Sequence, residues 1–134
     1  MTQWYRTQGM RLVLDTDPEI LTVRRYAPGE IEIAGQVLRS PCIVSAQRLI
    51  TDWQASAVSA LDLGILEPLL ALQPRIILLG SDAPEARAAT ALRRALEARG
   101  IALEVMNLGA ACRTYNVLAQ ELRAVVAGLF PCSA

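Results

Sequence analysis

Leu21, Val23 and Arg25 alternate with Thr22, Arg24 and Tyr26, the period of two that a β-strand presents to its two faces. Ala27-Pro28-Gly29 follows as a turn, since proline presets φ and glycine accepts a positive one. A return strand is predicted over residues 30–33, with Ile31 and Ile33 on one face and Glu30 and Glu32 on the other. Gly35 permits another reversal, and short strands over 36–39 and 42–45 flank Ser40-Pro41, where proline removes a ladder donor. Beyond Trp53 the pattern changes to a short helix over 64–72, stopped at Gln73-Pro74 because the residue before a proline disfavours the α region.

Residues 75–80 contain the unbroken apolar run Ile76-Ile77-Leu78-Leu79, as expected of a central strand buried on both faces. Asp82 with Glu85 three positions on reads as a capping box, and Pro84 is tolerated in a first turn, so a helix is predicted over 82–99 and ended by Gly100. Ala88, Leu92, Ala95, Leu96 and Arg99 recur on one side of it, leaving Arg87, Arg94 and Glu97 toward solvent. A strand over 101–106, a helix over 110–122 and a strand over 124–130 complete a β-α-β-α-β order. Alternation of this kind implies an α/β fold with a mixed or largely parallel sheet and helices against its faces. The chain of 134 residues is long enough for one continuous core, and a single domain over 1–134 is expected.

Composition narrows the chemistry. Thirteen basic and thirteen acidic residues give zero net charge and are scattered, so no basic stripe exists to neutralise phosphates and nucleic acid is not an expected partner. All thirteen basic residues are arginine, a bias of composition with one firm consequence: no Schiff-base or P-loop lysine can exist. Histidine is absent, which removes Ser-His-Asp and Cys-His arrangements and imidazole metal ligands. Cys42, Cys112 and Cys132 are widely spaced with no C-x-x-C pair, so neither a zinc site nor a thioredoxin-type motif is formed, and a reducing compartment fits. No metal or cofactor is expected. Residues 1–11 do not resemble a signal peptide, and the most apolar stretch, 58–72, is broken by Asp62, Glu67 and Pro68 and falls short of the about 20 residues of a membrane span. The expected location is the cytoplasm.

Two segments occupy the carboxyl ends of strands, where open α/β sheets bind ligands. In Gly80-Ser81-Asp82, free backbone N–H groups at a helix N-terminus could hold an anion, or Ser81 and Asp82 could simply cap the helix. In Asn107-Leu108-Gly109-Ala110-Ala111-Cys112-Arg113-Thr114-Tyr115-Asn116, a cysteine in a first helical turn beside Arg113 could have a depressed pKa and be nucleophilic. Against this, Cys112, Tyr115 and Ala119 share a face with Leu118 and Leu122, as a buried inert thiol would. Arg113, Asn116 and Gln120 lie opposite, either as a solvated surface or turned over a crevice toward Ser81 and Asp82. Neither G-x-G-x-x-G nor a Walker motif is present, and Asp15 with Asp17 or Glu30 with Glu32 read as solvated charge.

The run from Glu104 to Glu121, which contains GAACRTYN and the downstream LAQE helix, together with Ile77-Leu78-Leu79-Gly80-Ser81-Asp82, resembles the Mth938-like domain family of unknown function, relatives of a mitochondrial complex I assembly factor. The resemblance extends from about Ile20 to Phe130 and implies a three-layer fold with a central mixed sheet flanked by helices and an N-terminal β-hairpin region. It implies no catalytic mechanism. It suggests a bacterial, assembly-factor-like protein that binds other proteins, and it maps a crevice onto Gly80, Ser81, Asp82, Gly109, Cys112, Arg113, Tyr115 and Asn116. The leading expectation is a non-catalytic interaction protein. The alternative is a small-molecule or anion binder, or weak enzyme, using the crevice between the Ser81 and Arg113 loops, with thiol chemistry at Cys112 as a third reading.

Overall fold

Two separate sheets carry the architecture of the computed structural model, which describes residues 20–84 and 86–131. Strands β1 (Val23–Ala27), β2 (Glu30–Ile33) and β3 (Gln36–Leu38) form a small antiparallel sheet in that order. Strands β4 (Cys42–Ser45), β5 (Leu49–Ile50), β6 (Ile76–Ser81), β7 (Ala102–Met106) and β8 (Val125–Phe130) form a mixed sheet ordered β5-β4-β8-β6-β7. In it β6 runs parallel to both β7 and β8, while β4 is antiparallel to β8 and to β5.

The mixed sheet is the middle layer because its central strands bury both faces. Along β8, Val126 and Phe130 belong to one apolar cluster, while Val125, Ala127 and Leu129 belong to the other; β6 divides likewise, Ile77 and Leu79 against Leu78. The first face is covered by α1 (Glu67–Leu70) and α2 (Thr90–Ala98) through Leu69, Leu92 and Leu96, together with Trp53. The Trp53 ring packs 5.3 Å from that of Phe130, and its indole N–H donates to the Ile65 carbonyl at 2.9 Å, so the polar atom of a buried aromatic is satisfied. The second face is covered by α3 (Leu108–Gln120) and the inner side of the small sheet, through Ala111, Tyr115, Ala119, Val23, Ile31 and Ile33. Among the described residues no helix is long and apolar enough to cross a membrane.

The α/β class, the N-terminal hairpin and the buried strand at Ile76–Ser81 are as the residue pattern implies. The helix expected over 82–99 begins only at Thr90, after an extended Ala89. Its intended capping residue is drawn elsewhere: the Asp82 carboxylate accepts a hydrogen bond from the backbone of α3, and the Ser81 hydroxyl accepts from Ala83 N. The helix expected over 64–72 contracts to Glu67–Leu70, with turns on either side, and ends before Pro74 with Gln73 at φ 57°. The helix expected from residue 110 begins at Leu108, because Asn107 is its cap. Strand β5 had no signal in the pattern. Glu85 of the expected capping box, Asp15, Asp17, Cys132 and residues 1–11 lie outside the described residues.

Candidate functional site

Helix α3 organises the residues singled out from the sequence. Its N-cap is Asn107, in an extended conformation, whose side-chain oxygen accepts from Ala110 N at 2.8 Å. Asp82, at the end of β6, accepts from Leu108 N at 3.0 Å. Two of the backbone donors that a helix start leaves unpaired are thereby satisfied. A carboxylate beside the positive end of the helix dipole contributes about 0.3–1 kcal/mol. The place where an anion would bind already holds one from the protein itself.

Close approach explains both glycines. A Cβ on Gly80 would lie 2.5 Å from Ala111 Cβ, so α3 rests directly on β6. A Cβ on Gly109 would lie 2.7 Å from Tyr26 Cε2, so the tyrosine ring of β1 lies against the first turn of α3.

The next turns of α3 hold the small sheet. Tyr115, fully buried, donates from its hydroxyl to the Leu21 carbonyl at 2.8 Å. Burial raises the pKa of that phenol above its ordinary value. The Asn116 amide clips the backbone of β1: its oxygen accepts from Val23 N at 2.8 Å and its nitrogen donates to Val23 O at 2.9 Å. The exposed Arg113 donates to the Tyr26 hydroxyl, with its guanidinium carbon 5.9 Å from the ring centroid. Tyr115, Asn116, Arg113 and Gly109 thus all meet β1 or the residues just before it. None of these partners had a local signal, since 83 to 94 positions separate them along the chain.

Cys112 does not sit in the first turn of its helix. It is the fifth residue of α3 and only 1% exposed. Burial pushes its thiol up to about 12; the neighbouring Arg113 opposes that, and Asp82 adds to it. The shift is opposite in direction to that of a first-turn thiolate, and the thiol stays protonated at neutral pH. Cys42, also buried, is likewise raised to about 12 by burial and then by Cys112.

The two loops expected to share a crevice border different hollows. Ser81, Asp82 and Asn107 line one of about 280 Å³ together with Val105 and Met106. Arg113, Cys112 and Asn116 line another of about 380 Å³ together with Val23, Arg24, Arg25 and Tyr26. Gly80 and Tyr115 line neither, and Gly109 lies beneath the Tyr26 ring. Among the described residues no group of three His, Cys, Asp or Glu side chains could hold a metal ion.

Residues 23–130 match a family described as a protein of unknown function, DUF498/DUF598. The chain is 32% identical over 129 residues to NADH dehydrogenase [ubiquinone] 1 alpha subcomplex assembly factor 3 of Danio rerio, covering 95% of this chain and 74% of that protein. It is 36% identical over 111 residues to an uncharacterised protein of Rhodobacter capsulatus, covering 83% of this chain and 85% of the relative. A solution structure from Bordetella pertussis, described as a Mth938-like domain, superposes with a TM-score of 0.75 at 23% identity, covering 92% of this chain and 94% of that one, which shows the shared fold.

Proposed function

This chain belongs to the DUF498/DUF598 family of proteins of unknown function, and from that premise we propose that it works as a non-catalytic, assembly-factor-like protein that holds a protein partner. The observation that carries this reading is the use to which α3 puts its polar side chains. Tyr115 and Asn116 commit their polar groups to fixing β1 to the helix, and Arg113 gives one of its donors to the Tyr26 hydroxyl. Cys112, which borders the hollow beside Arg113, is buried and stays protonated at neutral pH. Apolar side chains exposed to solvent include Tyr26 at 45% and Val37 at 46% on the pinned hairpin, and Val117 and Leu122 on and just after α3. The similarity to the Danio rerio assembly factor supports the same direction.

The protein is a single domain of the cytoplasm in this reading, and its partner is another protein. The rival use of Gly80, Ser81 and Asp82 as one end of a ligand crevice is weakened by the Asp82 carboxylate, which occupies the helix start that an anion would need. Affinity capture of the tagged chain from its native host under gentle conditions tests the proposal. A stoichiometric protein that rebinds in purified form is the expected result. Recovery of the chain with no such partner defeats it.

A further inference from the structure

The hairpin carries a departure from regular pairing that the clamp leaves unexplained. Val23 pairs with Ile33 and Arg25 with Glu32, so Arg24 is an extra residue on β1, a β-bulge. Bulges re-aim side chains and terminate pairing. Here the irregularity sits next to the Asn116 clip on Val23, and Arg24 and Arg25 line the same hollow as Arg113 and Tyr26.

Three arginines therefore line about 380 Å³ of open surface, and among the described residues no carboxylate lines it. Arg25 is paired with Glu32 at 3.0 Å, whereas Arg24 and Arg113 have no carboxylate within 4.0 Å among the described residues. The remaining wall is formed by Val23, Tyr26, Cys112 and Asn116. Exposed arginine beside half-exposed tyrosine is the composition enriched at the energetic centres of protein interfaces. A small phosphate site would draw on a helix N-terminus, but Arg113 lies in the middle of α3 and the start of that helix already holds Asp82.

We propose that the Arg24–Tyr26–Arg113 hollow is the docking surface for a carboxylate-bearing segment of the protein partner. The partner's Asp or Glu side chains pair with Arg24 and Arg113, whose forked donors suit carboxylates, and an apolar side chain between them lies on the Tyr26 ring. This rests on the interaction-protein reading above and names the chemistry of its partner.

The test is a titration of isotope-labelled full chain with a blocked hexaglutamate peptide, followed by NMR at the arginine side-chain N–H groups. Saturable shifts at Arg24 and Arg113, diminished by added salt, are the expected result. R24Q removes a side chain with no hydrogen bond or ion pair among the described residues, so it leaves the fold intact and weakens binding about threefold. R24Q/R113Q weakens it about tenfold if the two act independently, and R113K recovers only part of the loss because the fork is gone. Shifts centred elsewhere, binding indifferent to R24Q, or equal shifts with inorganic phosphate at matched ionic strength would each overturn the assignment. A host partner that still rebinds to R24Q/R113Q refutes this surface while leaving the interaction reading standing, and absence of any partner for the wild type refutes the reading itself.

Discussion

Replacing Asn116 isolates the clamp between α3 and β1. Asn116→Ala removes two hydrogen bonds to a partly buried backbone and leaves Val23 N–H and C=O without partners. A hydrogen bond contributes about 1 kcal/mol net, and more where the stranded group stays dry, so the loss should be about 2 kcal/mol. For a chain of this size that corresponds to a fall of about 8 °C in Tm. Asn116→Asp sharpens the test. The carboxylate still accepts from Val23 N–H, but its second oxygen faces the Val23 carbonyl without a proton to donate. Its folded-state pKa must then rise above the unfolded value of about 3.9, so its stability is retained below that pH and is lost as pH climbs through the folded pKa. Thermal unfolding at several pH values, with amide exchange in β1 to β3, reads both effects. A drop in Tm below about 2 °C for Asn116→Ala, with exchange in β1 unchanged, would refute the clamp.

Further outcomes follow from the same geometry. Gly80→Ala forces a Cβ to within 2.5 Å of Ala111 between two packed elements and should cost about 1–3 kcal/mol by denaturant unfolding, whereas Gly109→Ala meets only the half-exposed Tyr26 ring, which can swing away, and should cost less. Cys112 and Cys42, raised to about 12 in the fold from about 9 in the unfolded chain, hold stability that is complete below pH 9 and is lost as pH rises toward 12; an unfolding free energy flat across that window would contradict their burial. At neutral pH, alkylation of Cys112 followed by peptide mass spectrometry should be far slower than for a free thiol, and equal rates would reopen the nucleophilic reading. Asp82→Ala should lower stability by about 1 kcal/mol through loss of a charged partner at the start of α3, with added salt narrowing the gap to wild type.

The layered fold was legible because its signals are local. A run such as Ile76-Ile77-Leu78-Leu79 encodes burial on both faces, and Ala27-Pro28-Gly29 encodes the hairpin turn. The start of α2 was misread for a physical reason: Asp82 and Glu85 have the spacing of a capping box, but nothing local reveals that the Asp82 carboxylate is attracted to the start of α3, 26 positions away. Helix α3 starts two residues ahead of the expected 110 because the Asn107 side chain caps it, and Gly109, which costs about 1 kcal/mol inside a helix, sits against the ring of Tyr26, far back in the chain. Likewise the polar cluster from Arg113 to Asn116 is visible in the sequence, but its task depends on Leu21, Val23 and Tyr26, which carry no mark of it.

Native mass spectrometry of the chain purified gently from its host tests the central claim most directly. A complex containing one further polypeptide in fixed ratio, dissociated by salt and by the R24Q/R113Q substitutions, is the expected result. A chain that carries a bound metabolite and no partner protein would contradict it.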